Sequence, residues 1–413
     1  MNPSSTPPVR AGIAIDRLQH LNTVLQRDFV GPGRIPGCQW LVARHGEVVA
    51  QHSLGLMDQA RGTQMRPDAL FRIYSMSKPI TSVALMMLYE EGRFQLNDPV
   101  HQYIPSWKGQ RVWVGGAGAA MQTREPKQPM TMRQLLNHSS GLTYGGLLLP
   151  AGTPADPVDR VYQDLRINTR NGDTLDAFVD KLGQVPLRYE PGEGWAYSFA
   201  TDVCGHLVQR LSGQPFEQFL QQRIFGPLGM VDTAFHAQAD QAERLTASYQ
   251  HDPAGPPRLL DDPQDSLWAR PPALASGGGG LLSTLADYHR FCDTLRRGGE
   301  RNGVRLLGPR TLALMRRNHL PGGQDLTRCA VDAFSETAYQ GVGFGLGFAT
   351  TLDEVAAGVL GAGDFYWGGL ASTIFWIDPI EDLVVIFMTQ LVPSRTYNFR
   401  ALFKNIVYAA LID

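Results

Sequence analysis

Apolar residues recur at helical spacing over residues 13–29 (Ile13, Leu18, Leu21, Val24, Leu25), and Gly31-Pro32-Gly33 ends the run. Residues 38–43 and 48–53 read as two strands, with His45-Gly46 as the hairpin turn between them. A second helical stripe, Ile80, Val83, Ala84, Met87 and Leu88, runs to a stop at Gly92. Pro79 fits only near the first turn of that helix, because an interior proline loses a hydrogen bond and clashes. The residues just before Pro79 therefore sit at the helix N-terminus.

From about residue 109 to residue 272 the pattern is helix and loop. Thr131-Met132-Arg133-Gln134 reads as a capping box. Residues 201–211 and 216–225 read as two further helices. Residues 252–272, rich in Pro and Asp, read as a long surface loop, and residues 277–280 as a tight glycine turn. Thr284 can cap the next helix. Strands return at 344–350, 372–377 and 383–388, and residues 398–411 close the chain as a helix. The first twelve residues read as a flexible tail, and no internal repeat is visible. The economical fold is α+β: an antiparallel sheet built from both termini and flanked by helices, with a mostly helical region inserted. The expected division places residues 1–108 and 273–413 in the sheet domain and 109–272 in the helical one, with a site at their interface.

Composition narrows the function classes. Of 413 residues, 43% are hydrophobic and 18% charged, which is globular rather than disordered. A formal net charge of −2 supplies no basic field for nucleic acid. No apolar run approaches the ~20 residues of a membrane helix. Cys38, Cys204, Cys292 and Cys329 lie far apart, so neither a zinc ribbon nor a disulfide scaffold is expected. The N-terminal residues carry no basic segment followed by an apolar one, which makes a cytoplasmic location the expectation.

Several common sites are absent from the sequence. There is no Gly-x-Ser-x-Gly and no His-Glu-x-x-His. Gly341-Val342-Gly343-Phe344-Gly345 lacks the third glycine of a dinucleotide loop, because Leu346 stands there, and it reads as a turn into a strand. No metal and no cofactor are expected.

Ser75-Met76-Ser77-Lys78 is different. A serine hydroxyl is a poor nucleophile until a base takes its proton. A residue three positions on in a helix returns to the same face, so the Lys78 amine can reach Ser75. Desolvation would lower the amine's pKa enough to make it that base. With five lysines in the chain, chance gives ~0.2 such pairs, so spacing alone decides little.

Four further segments, in order along the chain, agree with it. They are Leu135-Leu136-Asn137-His138-Ser139-Ser140-Gly141-Leu142; Pro191-Gly192 leading to Trp195, Tyr197 and Ser198; Ser276 to Leu281 with Ser283, Thr284 and Asp287; and Tyr366-Trp367-Gly368-Gly369. Together the five resemble the serine β-lactamase and penicillin-binding protein superfamily, and most closely its esterase branch, the family VIII carboxylesterases. The resemblance implies a β-lactamase/transpeptidase-like fold. It implies Ser75 as the acylated nucleophile, Lys78 and Tyr197 as partners in proton transfer, and the backbone N–H groups of Ser75 and Leu370 as the oxyanion hole. It places Tyr366-Trp367-Gly368-Gly369 just before an edge strand.

Two departures from the β-lactamases bear on substrate. Trp367-Gly368-Gly369 stands where a Lys-Thr-Gly is usual, which removes a cation and is expected to add a broad apolar wall. Phe199 replaces the Asn of Tyr-x-Asn, so the amide for an acylamino side chain is gone. Both favour neutral acyl esters over anionic β-lactams, with Trp367, Gly368, Gly369 and Phe199 at the substrate. The expected activity is hydrolysis of a small-molecule ester. β-Lactamase or D-peptidase action, acyl transfer and a non-catalytic binding role are the alternatives. Loops 144–157 and 321–339 would shape the acyl pocket.

Overall fold

The computed structural model describes residues 8–149, 152–331 and 336–413. The start of the expected tail, residues 1–7, and parts of the two expected pocket loops lie outside them.

The long apolar runs assemble into one eight-stranded sheet. Its strands are β1 (Gly37–Arg44), β2 (Glu47–Asp58), β3 (Thr63–Gln64), β4 (Val342–Phe344), β5 (Ala349–Thr351), β6 (Phe365–Gly369), β7 (Thr373–Asp378) and β8 (Leu383–Met388). They lie in the order β4-β5-β6-β7-β8-β1-β2-β3, and every neighbouring pair is antiparallel. The seam between β8 and β1, with Ile386 opposite Leu41, joins the two ends of the chain. The β1–β2 hairpin turns at His45 and Gly46, both at positive φ, as a tight two-residue turn requires.

Helices cover both faces, so β1, β6, β7 and β8 are buried along their whole length. On one face, Tyr288 of the helix Leu285–Arg296 meets Phe375 edge-on at 5.2 Å. On the other, Phe403 of the closing helix Phe399–Ala409 packs on Phe387 at 4.9 Å. The helix α1 (Ser77–Glu90) is buried from Ser77 to Leu88 and packs against α2 (Ala200–Ser212). Among the described residues no helix is long and apolar enough to cross a membrane.

Several expectations are corrected. The single strand at 344–350 is a hairpin, β4 and β5, with Gly347 at φ +95° between them. Its turn residues Leu346 and Phe348 are themselves buried, so the apolar run gave no sign of the break. Residues 366–369 do not precede an edge strand. They belong to β6, inside the sheet between β5 and β7. The tail already has structure at Val9–Arg10, which pairs with Ile13–Ala14, and the helical run that follows is split into Ile15–Leu18 and His20–Leu25. Region 109–272 holds strands as well as helices, including a Val112–Gly115 and Gln122–Arg124 hairpin.

The loop expected at 252–272 contains a strand, Arg258–Asp261, paired with Ser248–Gln250. Asp261 reaches the fully buried guanidinium of Arg72, and a buried charge holds its partner in place.

One close approach ties the sheet to the start of α1. A Cβ on Gly369 would lie 2.3 Å from the carbonyl oxygen of Ile73 and 2.4 Å from Thr373 Oγ1. On Gly368 the nearest atom would be 3.1 Å away. Gly369→Ala is therefore expected to destabilise by about 1–3 kcal/mol or more, as overpacking does, and Gly368→Ala by less, measured by urea unfolding.

Candidate active site

The chain enters the site through a short strand, Phe71–Arg72, and a single 3₁₀ turn, Tyr74–Met76, that runs into α1. Tyr74 holds φ at 42°, an uncommon value for a residue with a side chain, and such strain gathers at functional positions. The bend leaves Ser75 at the entrance to α1, on the wall of a cavity.

Lys78 is one turn further on and 1% exposed. Its Nζ lies 3.2 Å from Ser75 Oγ, 2.8 Å from the Tyr144 hydroxyl and 2.6 Å from the carbonyl oxygen of Gly278. Burial drives the amine from its usual 10.5 down to about 7, against the smaller opposing pull of Asp202 and Glu336. A large share of Lys78 is therefore neutral near neutral pH and can take the Ser75 proton.

Tyr197 completes the group. Its hydroxyl shares hydrogen bonds with Ser75 and with Trp367, the indole Nε1–H donating at 3.1 Å. The Lys78 amine sits over the face of its ring, 4.4 Å from the centroid. Burial holds the phenol well above its usual range, so Tyr197 carries its proton while Lys78 is the available base.

His138 supports the Tyr197 loop. Its carbonyl accepts from the backbone N–H of Ala196 at 3.0 Å, and its ring meets Ser198 Oγ at 2.9 Å and packs edge-on against Tyr197. Burial, with the Lys78 charge adding to it, holds His138 well below its ordinary range. The ring is neutral and structural.

The glycine run beside α1 permits close approach of the backbone. A Cβ on Gly278 would meet Asp202 Oδ2 at 2.5 Å, and one on Gly277 would meet the Thr201 carbonyl at 2.8 Å. The run thereby brings the Gly278 carbonyl to Lys78.

The cavity over Ser75 has a volume of about 410 Å³ and is bounded by Tyr74, Tyr144, Phe199, Phe235, Trp268 and Leu370, among others. Of the candidate catalytic and substrate-binding residues, Ser75, Leu370 and Phe199 line it, together with Ser276, Gly278, Gly279 and Gly280 of the glycine segment. Lys78 and Tyr197 stand behind Ser75. Trp367 is fully buried, is not part of the lining, and turns its indole to Tyr197. It is placed to orient Tyr197, not to form the apolar wall expected of it. Gly368 and Gly369 are buried strand positions, and Gly369 lets β6 pass close to the turn before Ser75, whereas Gly368 faces Thr373 and Arg400.

Three residues near Ser75 were not singled out. Tyr144 and Glu336 were seen only as parts of the two expected pocket loops, yet Tyr144 bonds Lys78. Asp202 lies buried in α2 and accepts from Ser276 Oγ at 2.5 Å and the Gly278 N–H at 3.0 Å. Glu336 lines the cavity, and burial raises its carboxyl. None has a spacing relation to Ser75 that a sequence pattern could carry. Among the described residues no group of three or more His, Cys, Asp or Glu side chains could hold a metal.

Fold and site together define a serine hydrolase of the β-lactamase and penicillin-binding protein type. The chain belongs to the beta-lactamase family, whose model matches residues 24–407. It is 32% identical over 387 residues to an uncharacterized protein of Mycobacterium tuberculosis, covering 91% of this chain and 90% of that one. It is 31% identical over 373 residues to Esterase EstB of Burkholderia gladioli, covering 86% of each. Among solved structures it is similar to EstCE1, a hydrolase with promiscuous acyltransferase activity, at 27% identity and a TM-score of 0.78, covering 95% of this chain and 98% of that one.

Two outcomes are expected. A base with a pKa of about 7 acts in its neutral form, so the acylation rate of Ser75 rises tenfold per pH unit below that value and levels off above it. The rate of phosphonate labelling as a function of pH measures this. Trp367→Phe removes the donor to Tyr197 and is expected to slow ester turnover roughly threefold to tenfold, the worth of a neutral hydrogen bond of ~0.5–1.5 kcal/mol. It should leave the acid limb in place, because the indole bonds Tyr197 and not Lys78.

Proposed function

We propose that this protein is a serine carboxylesterase of the family VIII kind, hydrolysing small to medium acyl esters through an acyl-enzyme on Ser75. The observation that carries this is the buried Lys78 amine in contact with Ser75 Oγ, beside Tyr197 and at the wall of a largely apolar cavity. Neutral Lys78 takes the Oγ proton as Ser75 attacks the ester carbonyl. The backbone N–H groups of Ser75 and Leu370 receive the developing oxyanion. The tetrahedral intermediate collapses, the C–O bond to the alcohol breaks, and a proton passes to the leaving oxygen from Lys78 directly or by way of Tyr197. Water then attacks the acyl-enzyme, giving its proton back through the same groups and releasing the acid and free Ser75.

Two side chains support an ester over a β-lactam. The position of the usual third-element lysine is taken by Trp367, and Phe199 offers no amide. The similarity to EstB and EstCE1 points the same way. Acyl transfer is the second reading, favoured by the activity stated for EstCE1. An acyl-enzyme is common to both, and an alcohol in the cavity can replace water.

The test is turnover of p-nitrophenyl butyrate beside a chromogenic cephalosporin, on wild type and Ser75→Ala. The expected result is ester turnover far above cephalosporin turnover and a loss on the order of 10⁴-fold or more in the variant. Equal turnover in the variant, or a preference for the cephalosporin, would overturn the reading. An added acceptor alcohol, with products separated chromatographically, distinguishes hydrolysis from transfer.

A further inference from the structure

We infer that Tyr144 is the positioning residue of the base: its hydroxyl oxygen takes one N–H of Lys78 and so aims the amine's lone pair at Ser75 Oγ. This rests on Ser75 being the nucleophile that Lys78 activates. A neutral amine has two N–H donors and one lone pair. Nζ has three polar neighbours within hydrogen-bond reach among the described residues, Ser75 Oγ, Tyr144 Oη and the Gly278 carbonyl oxygen. The carbonyl can only accept, so it takes one N–H. With the second N–H on Tyr144, the remaining tetrahedral direction is the one toward Ser75. Once the proton has moved, the ammonium has three donors for the same three oxygens. The base is thus held alike in both protonation states and nothing turns between them.

Among the described residues no other group stands in for the phenol. Asp202 is engaged by Ser276 and the Gly278 N–H and acts on Lys78 only through space, as does Glu336. Tyr197 offers the amine its ring face, and its hydroxyl is bonded to Ser75 and Trp367. His138 is neutral, its ring bonded to Ser198.

The Tyr144 ring is itself fixed. It meets Phe199 at 4.6 Å and Tyr197 at 5.2 Å, both edge-on. The chain turns sharply after it at Gly145, where a Cβ would lie 2.3 Å from that of Tyr162. Burial keeps the phenol protonated, so its oxygen remains an acceptor for a neutral amine.

Tyr144→Phe removes the oxygen and keeps the ring packing. Two readouts are independent of ester hydrolysis. One is the rate at which a fluorophosphonate labels Ser75 as a function of pH, followed by intact mass; there the Oγ–P bond forms, the P–F bond breaks, and the Oγ proton passes to Lys78. The other is the titration of Lys78 by NMR in protein labelled at lysine Cε, tractable in a chain with five lysines.

The variant is expected to label 10- to 100-fold more slowly on the alkaline plateau. Its acid limb and its Lys78 titration should both move to lower pH, because an ammonium that has lost an acceptor is disfavoured. A plateau rate within twofold of wild type would overturn the inference. So would a slower rate with the limb unmoved, which is the signature of a packing defect. Wild type that labels at Ser75 but turns over no ester would sink the esterase reading and leave this inference standing. Wild type that does not label would overturn both.

Discussion

A lysine amine buried without a carboxylate in hydrogen-bond contact is the constraint around which this molecule is organised. A charged ammonium taken out of water is strongly disfavoured unless it is paired. Among the described residues Lys78 is bonded only to uncharged oxygens, so burial expresses itself as a lowered pKa and leaves the amine able to act as a base. The chain also carries the opposite solution. Lys404, equally buried, lies 2.6 Å from Asp364 in a fully buried pair beside β6, where it neutralises a carboxylate and closes a structural contact. The difference between the two lysines is the presence of one carboxylate oxygen within bonding distance. Asp202 is close enough to influence Lys78, but Ser276 and the Gly278 N–H hold its oxygen.

Keeping that amine dry requires backbone from three distant parts of the chain to meet around it. Side chains would hold these segments apart, so glycine stands at the points of contact. Gly369 lets β6 reach the turn before Ser75, and Gly277 and Gly278 let their loop lie against α2. The eight-stranded sheet fixes these approaches. β6 is clamped between β5 and β7, and its position follows from the β8–β1 seam that joins the chain's two ends. Tyr74, at φ 42°, absorbs the bend between the short strand Phe71–Arg72 and the turn into α1.

The proposed preference for an apolar acyl group rests on the same arrangement, because Tyr74, Tyr144, Phe199, Phe235 and Trp268 bring aromatic rings to the cavity over Ser75. Trp367 contributes by orienting the phenol of Tyr197. A lysine at that position would bring a second cation close to Lys78, lowering its pKa further.

Much of this was legible in the residues themselves. Ser75 and Lys78 lie one helical turn apart, so local geometry alone brings their side chains together. The α1 helix, the hairpin at His45-Gly46 and the Thr131 capping box depend on nearest neighbours, and they stand where the pattern placed them. Tyr197 was singled out through the family resemblance, by its Pro191-Gly192 lead-in and its place after Ser75 and Lys78 in the order of motifs. What local pattern could not decide was everything set by packing between distant segments. The apolar run through Leu346 and Phe348 continues across a turn because that turn is buried, so two strands read as one. The strand at Arg258–Asp261 exists where composition suggested a loop, since Asp261 answers the buried charge of Arg72. Tyr144, Asp202 and Glu336 have no periodic relation to Ser75, and only the folded chain brings them to Lys78 or its cavity. The direction in which Trp367 faces is set by a sheet whose neighbouring strands come from elsewhere in the chain. Residue type and local spacing set which groups could do the chemistry; packing between distant segments set which of them are dry and which are paired, because burial and ion pairing depend on neighbours far apart in the chain.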